Sequence, residues 1–368
     1  MGCVLFILFC TITLIQLFYY LFFFRRLAFY KPKAPTSSID QPVSVIICAR
    51  DEADNLSKFF PGVLVQEYKT THEIVVVNDN SQDDSKYLLE EFKKTFRSIR
   101  IVELTQEAKL ISGKKYPLFT GIKAAKYETL LLTDADCVPA SEFWVNKMQS
   151  AYKEGVEIVL GYGAYRKHKG LLNKIIRFET FHTALQYLSY ALAGFTYMGV
   201  GRNLSYKREL FFKNKGFSSI IQIPSGDDDL FINQVAKKGN TAIMIDHEAH
   251  TISEPKKSWN EWMRQKYRHY TTAKYYKQSH KLLLGLYSFS LFWIWPLFVA
   301  SILLHTWWIV LSVMSARIIL QGIILYKTSV KLNEKDLWPY FILFDIWMFF
   351  YFLFMLPALW KKPTRNWH

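Results

Sequence analysis

The chain has 368 residues, 51% of them hydrophobic and 17% aromatic, with a formal net charge of +15. The length admits two domains, or one domain plus membrane segments, and the apolar and aromatic share exceeds that of an ordinary soluble chain. The basic balance admits nucleic acid, an anionic membrane surface or anionic substrates; no nucleic-acid-binding signature accompanies it, which sets the first aside.

Residues 3 to 24 carry no charge and are rich in Leu, Ile and Phe, long enough to cross a bilayer. Basic Arg25 and Arg26 follow this run and Phe22-Phe23-Phe24 ends it. A cleaved signal peptide has the opposite order, so residues 1–33 are expected to be an uncleaved anchor. Bulky Phe9 before Cys10 argues against a lipoprotein site. Arg25, Arg26, Lys31 and Lys33 place the centre of the chain in the cytoplasm. Residues 34 to 42, with two prolines and two serines, read as a linker.

Strands and helices then alternate. Strands are expected at Val43–Cys48, Glu73–Asn78, Arg100–Leu104, Thr129–Thr133 and Glu157–Tyr162. Helices are expected at Asn55–Gln66, Asp83–Phe96, Lys115–Lys126 and Ser141–Tyr152. Near-continuous apolar strands between helices imply an α/β fold with a mostly parallel sheet covered on both faces. Ligands of such sheets bind at the carboxyl edge of the strands. The four cysteines, Cys3, Cys10, Cys48 and Cys137, show neither metal-type spacing nor a disulfide framework, as suits a reducing compartment.

Asp134-Ala135-Asp136 directly follows the apolar run Leu130-Leu131-Leu132-Thr133. Alternation along an extended backbone points both Asp side chains the same way. Two hard oxygen donors there suit Mg²⁺ or Mn²⁺ on a substrate diphosphate. Other carboxylates gather at the same edge. The first strand ends at Ala49-Arg50-Asp51-Glu52 and the second at Asn78-Asp79-Asn80-Ser81. Asp83 and Asp84 read as caps of the next helix. Asp79 reads equally as a turn residue or a nucleotide contact. Gly113-Lys114-Lys115 precedes a helix, where backbone N–H groups and charge meet phosphates, although a solvated basic loop gives the same pattern. Pro224-Ser225-Gly226-Asp227-Asp228-Asp229-Leu230 opens a further helix. One of its carboxylates serves as a general base or as an N-terminal cap.

From Lys256 to Lys281 eight Lys or Arg face a single acid, Glu261, with Trp and Tyr between them. This reads as a basic aromatic interfacial helix over 256–281. Within it Gln265 and Arg268 stand three apart, on one helical face. Residues 282 to 326 fit two apolar helices with a turn near His305, and 337 to 360 form another candidate span, so two to three C-terminal helices are expected over 282–360. Arg317 and Asp345 within these runs either pair, line a polar path, or face protein or snorkel. The basic tail 361–368, with Lys361, Lys362 and Arg365, would lie outside if all four stretches crossed. Either one stretch is interfacial or the positive-inside rule fails locally. Residues 171 to 200 read as a membrane-facing helix or an ordinary core helix.

With these residues assembled, residues 40 to 270 resemble the family 2 inverting glycosyltransferases, the GT-A fold group that includes membrane polysaccharide synthases. Val43 through Glu52 looks like the family's nucleotide-binding first strand, with Ala49, Arg50 and Glu52 at its end. Val75 through Ser81 looks like the second, where Asp79 matches the nucleobase contact. Gly113-Lys114-Lys115 matches the Gly-Lys segment, and Asp134 and Asp136 the metal motif. Gly201-Arg202-Asn203-Leu204-Ser205-Tyr206 looks like the acceptor-side segment, with Gly201 and Asn203 lining it. Gly226 stands where the family carries Glu, and Asp227, with Asp228 beside it, takes the place of the catalytic base. Gln265 and Arg268 match a Gln-x-x-Arg-Trp motif of processive members. His269 replaces the Trp, which speaks against processive synthesis.

The resemblance implies a cytoplasmic GT-A domain over 40–255, Rossmann-like, on membrane helices at both ends. It implies displacement at the anomeric carbon of a nucleotide sugar, a UDP-sugar foremost, by a lipid or glycan acceptor. Asp134 and Asp136 would hold Mg²⁺ or Mn²⁺, Arg268 would face the leaving diphosphate, and Asp227 would take the acceptor's proton. The competing expectations are a polysaccharide synthase and a non-catalytic nucleotide-sugar-binding membrane protein. A nucleotidyltransferase making the activated sugar needs no anchor. A bacterial inner membrane, with several passes, is the expected location.

Overall fold

The computed structural model describes residues 2–32, 41–105 and 113–359. Residues 34 to 40 of the expected linker and the basic tail from Lys361 lie outside the described residues. The chain forms two compact units, Met1–Pro32 with Lys169–Ala193 and Ser258–Lys362, and the remainder.

Among the described residues the second unit holds ten strands. They are β1 (Val43–Ala49), β2 (His72–Asp79), β3 (Ile99–Leu104), β4 (Thr129–Asp134) and β5 (Cys137–Pro139), then β6 (Ile158–Leu160), β7 (Gly163–Tyr165), β8 (Leu204–Lys207), β9 (Thr241–Ile243) and β10 (Thr251–Ser253). Seven form one sheet in the order β3-β2-β1-β4-β8-β6-β9. The first four run parallel; β8 is antiparallel to both its neighbours; β9 is parallel to β6. A small sheet pairs β10 with β5 and β7.

Every residue of β1 is buried, as an inner strand covered on both faces requires. The helix Ala53–Leu64 buries Leu56, Phe59, Phe60, Val63 and Leu64, a stripe at helical spacing. Val45, Ile47, Val76 and Leu131 of the sheet pack with Trp144, Val145 and Met148 of the helix Trp144–Ser150. Register then sets the edge. Ala49 pairs with Asn78 and Cys48 with Asp134, so the ends of β1, β2 and β4 lie side by side.

Among its described residues the other unit contains four helical segments long and apolar enough to cross a membrane: Gly2–Ala28, Gln278–Leu304, Trp307–Lys331 and Lys335–Ala358. The break between the second and third falls at His305, as expected, and the C-terminal helices of this kind number three. The helix Leu171–Leu192 belongs to this unit and is buried along most of its length, at Ile176, Phe181, Leu185 and Tyr190 for example. The stretch thus forms a buried helix over Leu171–Leu192, packed within the unit that carries the long apolar segments. Arg317 and Asp345 pair: Nη1 donates to Oδ2 at 2.6 Å and Nη2 to Oδ1 at 2.8 Å. Gln16 accepts from Arg317 Nε at 2.8 Å, and Trp295 and Gln321 donate to Asp345 at 2.9 and 2.7 Å.

Candidate active site

Two strand-end loops form the first wall. Asp51 and Asn80 both have left-handed backbones, with φ of 53° and 51°, which Asp and Asn tolerate better than most residues. The loops are stitched together. The Asp51 N–H donates to Ser81 Oγ at 3.0 Å and the Gln82 N–H to Asp51 Oδ1 at 2.6 Å. Asp83 accepts from the amides of Ser85 and Ala53 at 3.0 and 2.9 Å, so it caps one helix and braces the start of the other. Asp84 stands at the cap position without a side-chain cap bond, which corrects the expectation that both aspartates cap. Asp79 is the buried last residue of β2 and not a turn residue, with Arg50 Nη1 4.0 Å from its carboxylate. Ala49 is fully buried, backbone included, so the expectation that it contacts the donor is corrected: it packs in the core behind the edge. Burial raises the Glu52 carboxyl above its usual range; Asn55 opposes this and the charges of Asp136 and Asp134 add to it.

Asp134 ends β4, and Ala135 and Asp136 form the turn into β5. Convergence of the two carboxylates therefore comes from this turn and not from the strand alternation expected of the motif. One ligand atom each from Asp134, Asp136 and Cys137 lies within 4.8 Å of the others. Cys137 Sγ donates to Asp136 Oδ1 at 3.3 Å. The Lys114 ammonium pairs with Asp134. Burial, then repulsion from Asp134, raises the Asp136 carboxyl, with Arg202 opposing.

Gly113 sets the next wall. Its φ is +81°, and a Cβ there would lie 2.3 Å from the Pro224 carbonyl oxygen, so only glycine lets the two segments touch. Lys114 then faces the Asp pair. Lys115 does not face the cleft as a free cation: it is buried, and its Nζ donates to the carbonyls of Ile223 and, at 2.6 Å, Ser225. A phosphate contact by Lys115 is corrected to a brace for the loop that carries Asp227.

The three consecutive aspartates divide their tasks. Asp228 accepts the Gly201 N–H on Oδ2 and the Asp229 N–H on Oδ1, both at 2.7 Å. Asp229 is buried and accepts the Leu230 N–H at 2.7 Å. Asp227 makes no hydrogen bond or ion pair among the described residues. Burial first, then the charges of Asp227 and Asp229, push the Asp228 carboxyl up to about 7.

Gly201 is thus held by Asp228. Arg202, which the sequence reading passed over, lies with its guanidinium 4.3 Å from the Tyr165 ring centre and donates to Ser253 Oγ at 2.6 Å. Its charge reaches Asp134 and Asp136. The signal for it was the basic residue inside the segment 201–206. Asn203 is fully buried, so the expectation that its side chain lines the acceptor side is corrected. Its Nδ2 donates to the carbonyls of Tyr162 and Ala249 at 3.0 and 2.7 Å, and Oδ1 accepts from Trp144 Nε1 at 3.0 Å. Gln265 and Arg268 belong to the other unit, on the helix Trp259–Tyr270, where Lys266 is buried against Glu179.

Comparison with known proteins gives this geometry its context. The family described as Glycosyl transferase family 2 matches residues 44–213, and Glycosyl transferase family group 2 matches residues 130–361. An uncharacterized glycosyltransferase of Synechocystis sp. is 31% identical over 130 residues, 35% of this chain and 39% of that protein. Poly-β-1,6-N-acetyl-D-glucosamine synthase of Staphylococcus aureus is 26% identical over 165 residues, 44% of this chain and 38% of that one. The chain thus spans about two fifths of the length of these relatives. A mannosyltransferase of Pyrobaculum calidifontis, solved with GDP-mannose and Mn²⁺, shares the fold with a TM-score of 0.59 at 19% identity, over 94% of this chain and 99% of that one. On the family matches, the second of which covers well over half of its residues, the chain belongs to the family 2 glycosyltransferases, with the GT-A fold.

Proposed function

We propose that this protein is a membrane-bound inverting glycosyltransferase that moves a hexosyl or N-acetylhexosaminyl group from a nucleotide sugar, a UDP-sugar foremost, to a lipid-linked or saccharide acceptor of the cell envelope. The observation that carries the reading is the division of labour at one sheet edge. Asp134 and Asp136 converge beside Lys114, while Asp227 alone among its neighbours keeps its carboxylate uncommitted.

The Asp pair fits a divalent cation. Two carboxylates and a sulfur lie within 4.8 Å of one another, and the Lys114 ammonium pairs with one of the carboxylates as a cation would. Carboxylate oxygens favour Mg²⁺ or Mn²⁺. Such an ion, when bound, supplies charge neutralisation on the leaving diphosphate. The protein's own groups do the rest. Arg50, Glu52 and Asp79 line the nucleotide wall. Lys114, released from Asp134, stabilises charge on the departing diphosphate, the part that the family resemblance also gives to Arg268. Asp227 accepts the proton of the acceptor hydroxyl as that oxygen bonds the anomeric carbon from the face opposite the diphosphate. The bonding pair of the broken C–O bond leaves with the diphosphate, and the anomeric configuration inverts.

The four long apolar segments support a multi-pass membrane setting, and Arg25, Arg26 and Lys31 support a cytoplasmic catalytic unit. As domain limits we propose an anchor over 1–33, a catalytic domain over 40–255 interrupted by the helix Leu171–Leu192 of the other unit, a basic segment over 256–281 and membrane helices over 282–360; the basic segment is not one helix, since its helix spans Trp259–Tyr270 and the first of the C-terminal helices already begins at Gln278. His269 in place of Trp favours single transfer over processive synthesis. The test is release of free nucleoside diphosphate by the detergent-purified protein, with a panel of nucleotide sugars, Mg²⁺ or Mn²⁺, and native membrane lipid extract. Metal-dependent release that disappears in Asp136→Ala is expected. Nucleotide binding without release from any donor would favour the non-catalytic reading.

A further inference from the structure

The N-terminal helix changes its winding near its carboxyl end. Tyr19–Phe24 is π-helical and Arg25–Ala28 is α-helical again. Such segments are uncommon and recur at functional sites. Here the helix borders a groove of about 480 Å³ that it shares with the helix Trp307–Lys331, within the roughly 300–1,000 Å³ typical of ligand sites. Leu21, Phe29, Leu320 and Ile323 give it apolar walls, and its charged side chains are Arg25 and Arg26.

Both arginines are exposed, and among the described residues neither has an acidic partner. Arg26 Nε donates to the Phe22 carbonyl at 3.0 Å, and its guanidinium lies 5.1 Å from the Phe22 ring centre, which fixes it beside the groove. More positive charge gathers at this end of the two helices. Lys331 Nζ donates to the Tyr30 carbonyl at 2.6 Å, and repulsion from Lys327 and Lys31 reaches it. Two arginines without an acidic partner among the described residues, beside an apolar wall, call for an amphipathic anion.

We propose that this groove binds a membrane lipid with an anionic phosphate headgroup. The phosphate sits at Arg25 and Arg26, whose planar N–H forks match its oxygens. A hydrocarbon chain lies along Leu21, Phe29, Leu320 and Ile323. Basic pockets between membrane helices take anionic headgroups in this way. Free phosphate would satisfy the arginines but leave the wall wet, so charge and apolar surface together select the lipid. The inference rests on the proposed membrane setting.

The test uses the full-length protein in bilayer discs of phosphatidylcholine with a minor share of phosphatidylglycerol. Lipid retained after release into detergent is read by native mass spectrometry. Phosphatidylglycerol is expected to be retained in preference to phosphatidylcholine, and inorganic phosphate is expected not to displace it. One basic residue near an anionic lipid contributes about fivefold, so Arg25→Gln/Arg26→Gln should cut retention by at least about tenfold. Ile323→Trp, which fills the groove and keeps both charges, should also cut it. Equal retention of the two lipids, displacement by inorganic phosphate, or full retention in both variants would overturn the proposal. Failure of the protein to enter bilayers would overturn the membrane setting and this site together.

Discussion

Asn203→Ala should destabilise the catalytic unit without acting through the acceptor. The carboxamide is fully buried and joins three segments through the Trp144 indole and the carbonyls of Tyr162 and Ala249. Alanine would leave the Trp144 N–H and the Ala249 carbonyl without partners; the Tyr162 carbonyl still accepts the Thr251 amide at 3.2 Å. At about 1–3 kcal/mol for each of these two orphaned buried groups, the loss is roughly 2–6 kcal/mol. In a unit of this size that corresponds to a fall in melting temperature of roughly 4–24 °C. A second substitution sharpens the test. A Cβ on Gly161 would lie 2.4 Å from Asn203 Cγ, so Gly161→Ala alone is badly placed, and Asn203→Ala opens the space it needs. In a double-mutant cycle followed by thermal unfolding of the detergent-solubilised protein, Gly161→Ala should cost less in the Asn203→Ala background than in wild type. Additive effects, or an Asn203→Ala protein of normal stability that has lost only acceptor affinity, would refute the structural role.

Asp228 gives the stability a pH signature. Its folded-state value near 7 lies above an unfolded value of about 3.9, so the folded chain holds an extra proton between them. Its contribution is therefore present at low pH and is lost as pH rises from about 4 to 7. Asp228→Asn should flatten that part of the melting-temperature profile; an unchanged slope would place the titration elsewhere. Arg317 and Asp345 form a buried pair, and removing one partner of such a pair costs about 3–5 kcal/mol. Arg317→Met alone should therefore lower the apparent melting temperature more than Arg317→Met with Asp345→Leu. The reverse order would show that the pair is not an energetic unit.

Much of the fold was legible because the inner strands are continuous apolar runs. Val43–Cys48 was expected and Val43–Ala49 forms; the other four expected strands form to within two residues, while the short β5 was not expected. The helix expected from Ser141 begins at Trp144 instead. Ser141 Oγ accepts the Phe143 amide at 3.1 Å and donates to the Glu248 carbonyl at 2.9 Å, which holds these residues in a bend. Strand β8 was not read. It has four residues, and its partners β4 and β6 are remote in sequence, so no local period announces it. The carboxylates at the sheet edge were legible for the same reason as the strands that carry them. Side-chain direction was not: the motif containing Asn203 marks a neighbourhood, and only the packing shows that its carboxamide turns into the core. Lys115 differs from Lys114 by one helical step, enough to send one ammonium to a loop and the other to Asp134. Cys137 and Arg202 gain meaning only when the turn after β4 and the segment before β8 meet.

The central claim is that Asp227, left without a hydrogen-bonding partner by the capping of its neighbours, is the base. Kinetics of sugar transfer and, in parallel, equilibrium binding of the donor nucleotide should be measured for Asp227→Asn. The account predicts that kcat falls by about 10²–10⁴-fold while donor affinity stays near that of wild type. Retained turnover, or a donor affinity lost in step with activity, would contradict it.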